Sequence, residues 1–219
     1  RRWAADAFFG LGESYIEGHW SCRRVDELCD RLLRARIRAR ELSLTNLTAI
    51  AAARVFNLQS RSRSRQVCEV HYDLGNDLYE RMLDRRMVYT CAYWAAAGTL
   101  DEAQEAKLEL VCQKLGLKPG MTVLDIGCGW GSFMKYACEK YGVRCVGYSL
   151  SRMQTELGRT LCQGLPIEFI EKDYREITGQ FDRVVSIGML EAVGHKNFRS
   201  YMEVVVPFLR VIGRPVAAH

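Results

Sequence analysis

Residues 122–131, Thr-Val-Leu-Asp-Ile-Gly-Cys-Gly-Trp-Gly, constrain the fold of this chain more than any other stretch. The apolar run from Val123 to Ile126 is typical of a short strand that is buried on both faces. Glycines at 127, 129 and 131 let the backbone turn sharply and approach a ligand without a Cβ in the way. Ser132 to Tyr141 then predict a helix. The stretch therefore predicts a buried strand, a turn that can hold a ligand, and a helix.

The spacing of the glycines distinguishes between two cofactor classes. A dinucleotide fingerprint has the form Gly-x-Gly-x-x-Gly, with an acidic residue about 20 residues further on. Here the form is Gly-x-Gly-x-Gly, and the next strand, Val143 to Gly147, leads into Tyr148 and Ser149. Asp125, two residues before the first glycine, suits a ligand with a cationic aminoacyl group. The turn resembles motif I of the class I S-adenosylmethionine (SAM) methyltransferases, and a turn that serves packing only is the alternative.

Composition bounds the class of protein. The chain has 219 residues, of which 48% are hydrophobic and 26% charged, which suits one α/β core and a small accessory region. No apolar run approaches the ~18 residues that a membrane span needs. The chain opens on Arg1 and shows no signal peptide, so we expect a fragment or a processed chain. Nine cysteines without a Cys-x-x-Cys pair favour free thiols in a reducing cytoplasm over disulfides or a metal site.

The basic charge of the chain lies in its first part. Residues 1–68 carry 13 arginines, no lysine and 7 acidic residues, a net of +6, whereas the whole chain carries +5. This asymmetry indicates an anionic partner, either a membrane surface or nucleic acid, and the absence of a recognition motif disfavours nucleic acid. Arg23 to Arg40 predict a basic amphipathic helix. It either lies on an anionic membrane or is simply solvated, because its acids come early and its arginines late, as the helix dipole favours.

Alternating strand and helix patterns predict the fold class. We expect an α/β fold with a doubly wound, mostly parallel sheet over residues 69–219, preceded by a small, mainly helical, lipid-associated domain over residues 1–68. Helices are predicted at Leu47–Phe56, Leu100–Leu115, Arg152–Cys162 and Lys196–Leu209, and further strands at Arg144–Tyr148, Ile167–Glu171 and Phe181–Ile187. Gly127, Ser149, Asp173 and Glu191 all fall at or just beyond carboxyl ends of strands, where such sheets bind ligands.

Three further blocks carry a family resemblance. They are His-Tyr-Asp-Leu-Gly-Asn-Asp at 71–77, Tyr-Thr-Cys-Ala-Tyr-Trp at 89–94 and Val-Ser-Ile-Gly-Met-Leu-Glu at 185–191. Together with motif I they closely resemble the cyclopropane-fatty-acyl-phospholipid synthase family. The resemblance extends upstream into residues 10–15 and 56–60, which points to the bacterial two-domain enzymes. It therefore covers nearly the whole chain.

The resemblance implies an enzyme that transfers a methylene carbon from SAM to a cis double bond of a phospholipid acyl chain. It also implies a bound bicarbonate as the base, held partly by Cys91 and Glu191, the two residues we expect to be catalytic. The implied partners are an unsaturated phospholipid, an anionic membrane surface and, as an open alternative, a second copy of the chain in a homodimer. The implied location is the cytoplasm, peripheral at the inner face of the membrane.

The resemblance also assigns residues to the cofactor. Tyr89 and Thr90 match the segment that closes over SAM, and the turn supplies contacts to its methionine part. Ser149, Leu150 and Gln154 match the ribose-side contacts. Asp173 and Tyr174 would flank adenine, with Arg175 adjacent. The complete expected cofactor set is Tyr89, Thr90, Asp125, Gly127, Cys128, Gly129, Ser149, Leu150, Gln154, Asp173, Tyr174 and Arg175.

The chain departs from the family pattern at several positions. Ala192 stands where the family has histidine, and Ala218, with His219 beside it, stands where the family has a histidine on the next strand. Pro215 disfavours a central strand there. The sequence is expected to be truncated before the last strands and the lid, and so to be weak or inactive alone. A related alkene or amine methyltransferase, and a fragment that binds SAM or membrane without turnover, remain alternatives.

Overall fold

The computed structural model describes residues 10–35 and 75–208. The chain divides into two compact units, Arg1–Leu58 and Gln59–His219. In the first unit, residues 10–16 form helix α1 and Val25–Arg34 form helix α2. Helix α2 confirms the first part of the helix predicted at Arg23–Arg40. The rest of that prediction, the helix at Leu47–Phe56 and the boundary near residue 68 lie outside the described residues.

No residue of helix α2 is fully buried among the described residues, although Leu28 and Leu32 are half-buried, and Arg31 and Arg34 pair with acids one turn earlier. Arg34 Nε lies 2.7 Å from Asp30 Oδ2, and Arg31 Nη2 lies 3.8 Å from Glu27 Oε2. Exposed pairs of this spacing contribute only about 0.3–0.5 kcal/mol each. They do, however, offset the charge of Arg31 and Arg34 locally. This part of the helix therefore favours the solvated interpretation, while the arginines at 36, 38 and 40 lie outside the described residues.

A parallel four-stranded sheet forms the centre of the second unit. Its strands are β1 (Thr122–Ile126), β2 (Arg144–Ser149), β3 (Ile167–Glu171) and β4 (Arg183–Val185), in the order β3-β2-β1-β4. Every neighbouring pair in this sheet is parallel. The helices are α3 (Asn76–Met82), α4 (Leu100–Leu115), α5 (Ser132–Tyr141), α6 (Arg152–Leu161), α7 (Leu190–Val193) and α8 (Phe198–Val205).

Local sequence signals set the bounds of the helix before β1. Thr99 and Glu102 form a capping box, in which Glu102 N–H donates to Thr99 Oγ1 at 3.3 Å and Thr99 N–H donates to Glu102 Oε2 at 3.2 Å. The helix ends at Gly116, which adopts the left-handed conformation with φ 58°. These signals explain why the predicted bounds, Leu100–Leu115, match the observed ones.

The core lies on both faces of the sheet. Along β1, Val123 packs into one cluster, with Leu108, Met134 and Val143 among its members. Leu124 and Ile126 pack into a cluster on the other side, with Tyr148 and Tyr201 among its members. Each such fully buried aliphatic side chain contributes about 1.5–3 kcal/mol. Helices therefore cover both faces, which confirms the predicted doubly wound α/β class.

Two predicted elements are longer than the observed ones. The strand predicted at Phe181–Ile187 extends only over Arg183–Val185, because beyond Val185 the Ser186 hydroxyl, not a continued ladder, bonds Ile126 O at 3.0 Å. The helix predicted at Lys196–Leu209 begins at Phe198, after a 3₁₀ turn at His195–Asn197. It tightens into 3₁₀ geometry at Val206–Phe208, where Pro207 has no N–H to donate. Leu209 lies outside the described residues.

Candidate functional site

A cavity of about 450 Å³ lies at the carboxyl ends of β1, β2 and β3. This is the edge at which open parallel sheets bind ligands. All of the residues predicted to contact the cofactor line it: Tyr89, Thr90, Asp125, Gly127, Cys128, Gly129, Ser149, Leu150, Gln154, Asp173, Tyr174 and Arg175. The structure thus brings the predicted cofactor residues together around one space. Their individual contacts with a cofactor remain predictions.

The turn after β1 is held against the end of β2. The N–H of Gly127 donates to Tyr148 O at 2.8 Å, and that of Cys128 donates to the same oxygen at 3.2 Å. Gly127 has φ 81°, a conformation that residues with a Cβ rarely adopt. A Cβ built on it would lie 3.2 Å from Met189 Cβ, so the loop after β4 passes closely by. The turn therefore has both the conformation and the close packing that glycine permits.

Residues 87–90 of segment 87–93 line the cavity, and hydrogen bonds attach the segment to α4 and α5. Gln104 Nε2 donates to Thr90 O at 2.8 Å, and Lys107 Nζ donates to Thr90 Oγ1 at 2.8 Å. Ser132 Oγ donates to Met87 O at 3.0 Å. These contacts fix the backbone of the segment beside the turn. Tyr89 is half exposed at the cavity while its ring contacts Tyr79 edge-on, with centroids 5.2 Å apart.

Two opposite charges are buried in the lining of the cavity. Asp125 and Lys107 are 3% and 8% exposed. Burial raises the pKa of the Asp125 carboxyl to about 7, and the positive charge of Lys107 offsets part of this effect. Burial lowers the pKa of the Lys107 ammonium to about 8, and nearby acidic groups, Cys91, Asp84 and Asp125 in that order, offset part of that effect. The cavity wall is therefore polar at one end, with both signs of charge.

The loop after β3 supplies a self-neutralised pair. Asp173 Oδ2 lies 2.9 Å from Arg175 Nη1, and Asp173 Oδ1 accepts from the Arg175 N–H at 2.9 Å. The Arg175 guanidinium also lies over the Tyr174 ring, 4.6 Å from its centroid. Tyr174 is only 8% exposed, and the Tyr201 ring packs against its ring with centroids 5.1 Å apart. This part of the lining is therefore a neutralised ion pair beside a mostly buried ring.

Cys91 and Glu191 lie apart from the lining. Both side chains are exposed, Cys91 next to Thr90 on segment 87–93 and Glu191 in the first turn of α7. The positive charge of Lys107 is close enough to Cys91 for the two to interact electrostatically. The structure thus places Cys91 beside the cavity wall and Glu191 on the short helix after β4. Their catalytic roles remain predictions.

Sequence reasoning missed several residues of the lining. Among them are Lys107, Trp130, Phe133, Ile187 and Met189. The sequence could have indicated that Lys107 is buried, because it falls four residues after Ala103 and four before Val111, both buried on the inward face of α4. A lysine on an otherwise buried helix face is uncommon unless it has a partner. The apolar residues had no such signal, because their spacing is equally typical of a core.

The parallel sheet, the glycine turn after β1 and the cavity at the strand ends define the α/β fold of the class I SAM-dependent methyltransferases. Mycolic acid cyclopropane synthase CmaA1, solved as a complex with SAH and CTAB, matches with a TM-score of 0.65 and 36% identity over 70% of this chain and 55% of that one. Cyclopropane synthase MmaA2 from Mycobacterium tuberculosis matches with a TM-score of 0.64 and 34% identity over the same shares.

The family follows from a second comparison. The model of the family described as mycolic acid cyclopropane synthetase matches residues 59–218, so the chain belongs to this family. Cyclopropane-fatty-acyl-phospholipid synthase from Escherichia coli (strain K12) is 47% identical over 206 residues, which cover 94% of this chain and 54% of that protein. The resemblance read from the sequence is thereby confirmed. The chain spans about half the length of this curated relative and of a second Escherichia coli synthase that it matches.

Proposed function

We propose that this chain carries the cofactor-binding part of a SAM-dependent enzyme that adds a methylene carbon across a cis double bond of a phospholipid acyl chain. The observation that carries the proposal is a cavity at the strand ends that is lined by every residue of the predicted cofactor set. Family membership and 47% identity to the Escherichia coli synthase support the phospholipid acyl chain as substrate.

The residues present fit SAM. Asp125 offers a buried carboxylate to an ammonium group, and the turn from Gly127 to Gly129 brings backbone close to the ligand. Ser149 and Gln154, both buried, offer polar groups to a ribose, and Asp173 and Tyr174 line the part of the cavity that the proposal assigns to adenine. SAM would supply a methyl carbon that its sulfonium makes electrophilic. The chain's own contribution is to hold that carbon in line with the alkene, because an alkene is a weak nucleophile and depends on positioning.

Exclusion of water is the second contribution of the chain. A cationic centre formed on an acyl chain is trapped by water unless the surround is dry. Buried Trp130 and Phe133, together with Leu108, give the lining an apolar part close to the glycine turn. We propose that the acyl chain approaches along this apolar part.

A bicarbonate base remains part of the proposal through Cys91 and Glu191. Their exposed positions on segment 87–93 and α7 give an anion access from solvent. The nearby positive charge of Lys107 favours an anion beside Cys91. In this arrangement Cys91 and Glu191 would hold the base that removes a proton before the ring closes.

Peripheral binding to the inner, anionic face of the membrane is proposed for the N-terminal part. The net charge of residues 1–68 supports it, whereas the internal ion pairs of α2 weaken the contribution of that helix. Among residues 10–35 and 75–208, no helix is long and apolar enough to cross a membrane. We also propose that the enzyme reaches the acyl chain from the membrane surface and that two copies of the chain pair.

The test is an activity assay on a fusion that continues this chain with the remaining part of the Escherichia coli synthase. The fusion is incubated with SAM and vesicles of unsaturated phospholipid, and gas chromatography of the acyl methyl esters identifies the product. We expect the cyclopropane ester, and a loss of about 10²-fold or more in Glu191→Gln, the range expected on removing a group that serves proton transfer. Glu203→Gln, which removes an exposed carboxylate on α8, is the matched control.

Each outcome of this assay has a separate meaning. A methylated but unclosed acyl chain would instead favour the alkene-methyltransferase alternative. Full activity in the Glu191→Gln fusion would remove the role given to Glu191 while leaving the cofactor site intact. No modification of the lipid by a folded fusion that binds SAM would contradict the proposed substrate.

A further inference from the structure

Lys107 and Asp125 carry opposite charges, and both are buried in the lining of the cavity. Within residues 10–35 and 75–208, Lys107 Nζ makes one hydrogen bond, to Thr90 Oγ1 at 2.8 Å, although an ammonium has three protons to donate. Over the same residues the Asp125 carboxylate has no hydrogen bond and no ion pair, only a longer-range interaction with Lys107. The wall therefore holds two charges whose bonding capacity is largely unused.

Leaving such groups unpaired is costly to the fold. A buried charge without a partner destabilises a protein far more than the pair of charges does. An apolar residue on this face of α4 would pack against Leu108 and Val111 without that cost. The two charges are therefore best explained by a ligand that supplies both complements.

The other charges of the lining narrow the chemistry of that ligand. Asp173 and Arg175 neutralise each other at 2.9 Å, and Lys172 is exposed. What is left buried is one carboxylate beside the glycine turn and one ammonium beside Thr90, both in the lining of the same cavity. This arrangement is complementary to a group that carries an ammonium and a carboxylate on neighbouring atoms, which is the α-amino acid end of a ligand.

We propose that Lys107 binds the α-carboxylate of the cofactor's amino acid end while Asp125 binds its α-ammonium. The inference rests on the proposed function, because it assigns a residue to the cofactor of that reaction. Holding both charged groups fixes the rotation of the aminoacyl arm about its bonds, and so fixes the direction in which the sulfur presents its methyl group. Lys107 would also join the ligand to segment 87–93 through Thr90. Lys107 is thus a cofactor-binding residue that selects for the carboxylate.

The test compares three ligands by calorimetry on the full chain. S-adenosylhomocysteine carries both charged groups, 5′-deoxy-5′-(3-aminopropylthio)adenosine lacks only the carboxylate, and methylthioadenosine lacks the whole aminoacyl end. At pH 7.5 most of the Lys107 ammonium is protonated, because its pKa is about 8. We expect the wild type to bind the first ligand about tenfold or more tightly than the second, as a hydrogen bond to a charged group allows.

Variants of Lys107 test whether this residue recognises the carboxylate. Control variants exclude an effect of misfolding or of the general positive charge of the protein. Lys107→Met should bind the first two ligands within about threefold of each other. Lys107→Gln, a second variant with a polar side chain, should show the same loss of preference. Lys114→Met, which removes an exposed charge two turns further along α4, and Lys172→Met, which removes an exposed charge from the same lining, should keep the wild-type preference.

Retention of the wild-type preference by folded Lys107→Met or Lys107→Gln would overturn the inference and leave the proposed cofactor intact. Equal binding of the first two ligands by the wild type would also overturn the inference and leave the proposed cofactor intact, because no residue would then recognise the carboxylate. Failure of the wild type to bind any of the three ligands would overturn the proposed function itself, and this inference with it.

Discussion

The buried carboxylate of Asp125 makes the stability of the second unit depend on pH in a direction that can be measured. Asp125 is 3% exposed and has no hydrogen-bonding partner among the described residues, so the folded protein disfavours its charged form. Asparagine has nearly the same shape and cannot ionise. We therefore expect the substitution Asp125→Asn to stabilise the protein increasingly as the pH rises.

The magnitude follows from the two pKa values of the group. Burial raises the pKa of Asp125 from 3.8 to about 7 in the folded protein. A raised folded pKa gives stability that is present below the unfolded pKa and is lost as the pH rises through the folded one. With these values, ionisation costs the folded state roughly 1.7 kcal/mol at pH 5 and roughly 4 kcal/mol at pH 8. The Asn variant should therefore gain about 2–3 kcal/mol on the wild type between pH 5 and pH 8.

Urea unfolding at both pH values, followed by circular dichroism, gives the free energy of unfolding of the variant and of the wild type. The prediction concerns the difference between the two proteins at pH 8 minus the same difference at pH 5. Asp77→Asn, which removes an exposed carboxylate in the first turn of α3, is the control and should show no such gain. Equal effects of Asp125→Asn at pH 5 and pH 8, with unchanged dependence on urea, would refute the reasoning. In that case the carboxylate would have a partner or water that lowers the cost of its charge.

Two further predictions concern the glycine turn and the N-terminal helix. Gly127→Ala and Gly164→Ala replace glycines with φ 81° and 82° and should each cost about 1–2 kcal/mol of stability, the first somewhat more because its Cβ would lie 3.2 Å from Met189 Cβ. Only the first should weaken S-adenosylhomocysteine binding, by about tenfold or more in calorimetry, because Gly127 lines the cavity and Gly164 does not; equal weakening would contradict the site. Co-sedimentation of the chain with anionic vesicles should fall with salt. It should fall further when arginines 36 and 38 are changed to Glu than when Arg31 and Arg34 are, since those two already pair with acids; indifference to salt would contradict an electrostatic attachment.

Local signals explain which parts of the fold were predictable. The bounds of α4 and α5 follow from a capping box and from glycines at their ends, all within a few residues of the helices. The end of β4 was not predictable, because it depends on a bond between Ser186 and Ile126, 60 residues apart in the chain. The start of α8 was also set from outside its own periodic pattern, by a 3₁₀ turn after Gly194.

The site was predictable to a different degree. The turn and Asp125 could be read from residue chemistry, whereas the remaining cofactor residues came from the family resemblance and were then found around one cavity. The exposure of Cys91 and Glu191 could not be foreseen, because the sequence carries no measure of how far a loop stands out from a cavity. Lys107 was overlooked because charged residues between apolar ones normally indicate the solvent face of a helix.

The position of Lys107 shows that the requirements of the site oppose those of a stable fold. The inward face of α4 carries Ala103, Leu108 and Val111, a pattern that stability alone would continue with an apolar residue at position 107. A buried lysine there destabilises the ligand-free protein, as does buried Asp125, which has no ion pair among the described residues, and the turn that follows Asp125 requires a backbone that only glycine adopts easily. Local rules that are broken together around one space indicate a function that compensates for the cost. Since a ligand with both complementary charges would relieve the two burial costs at once, its binding and the stability of the folded protein should rise together.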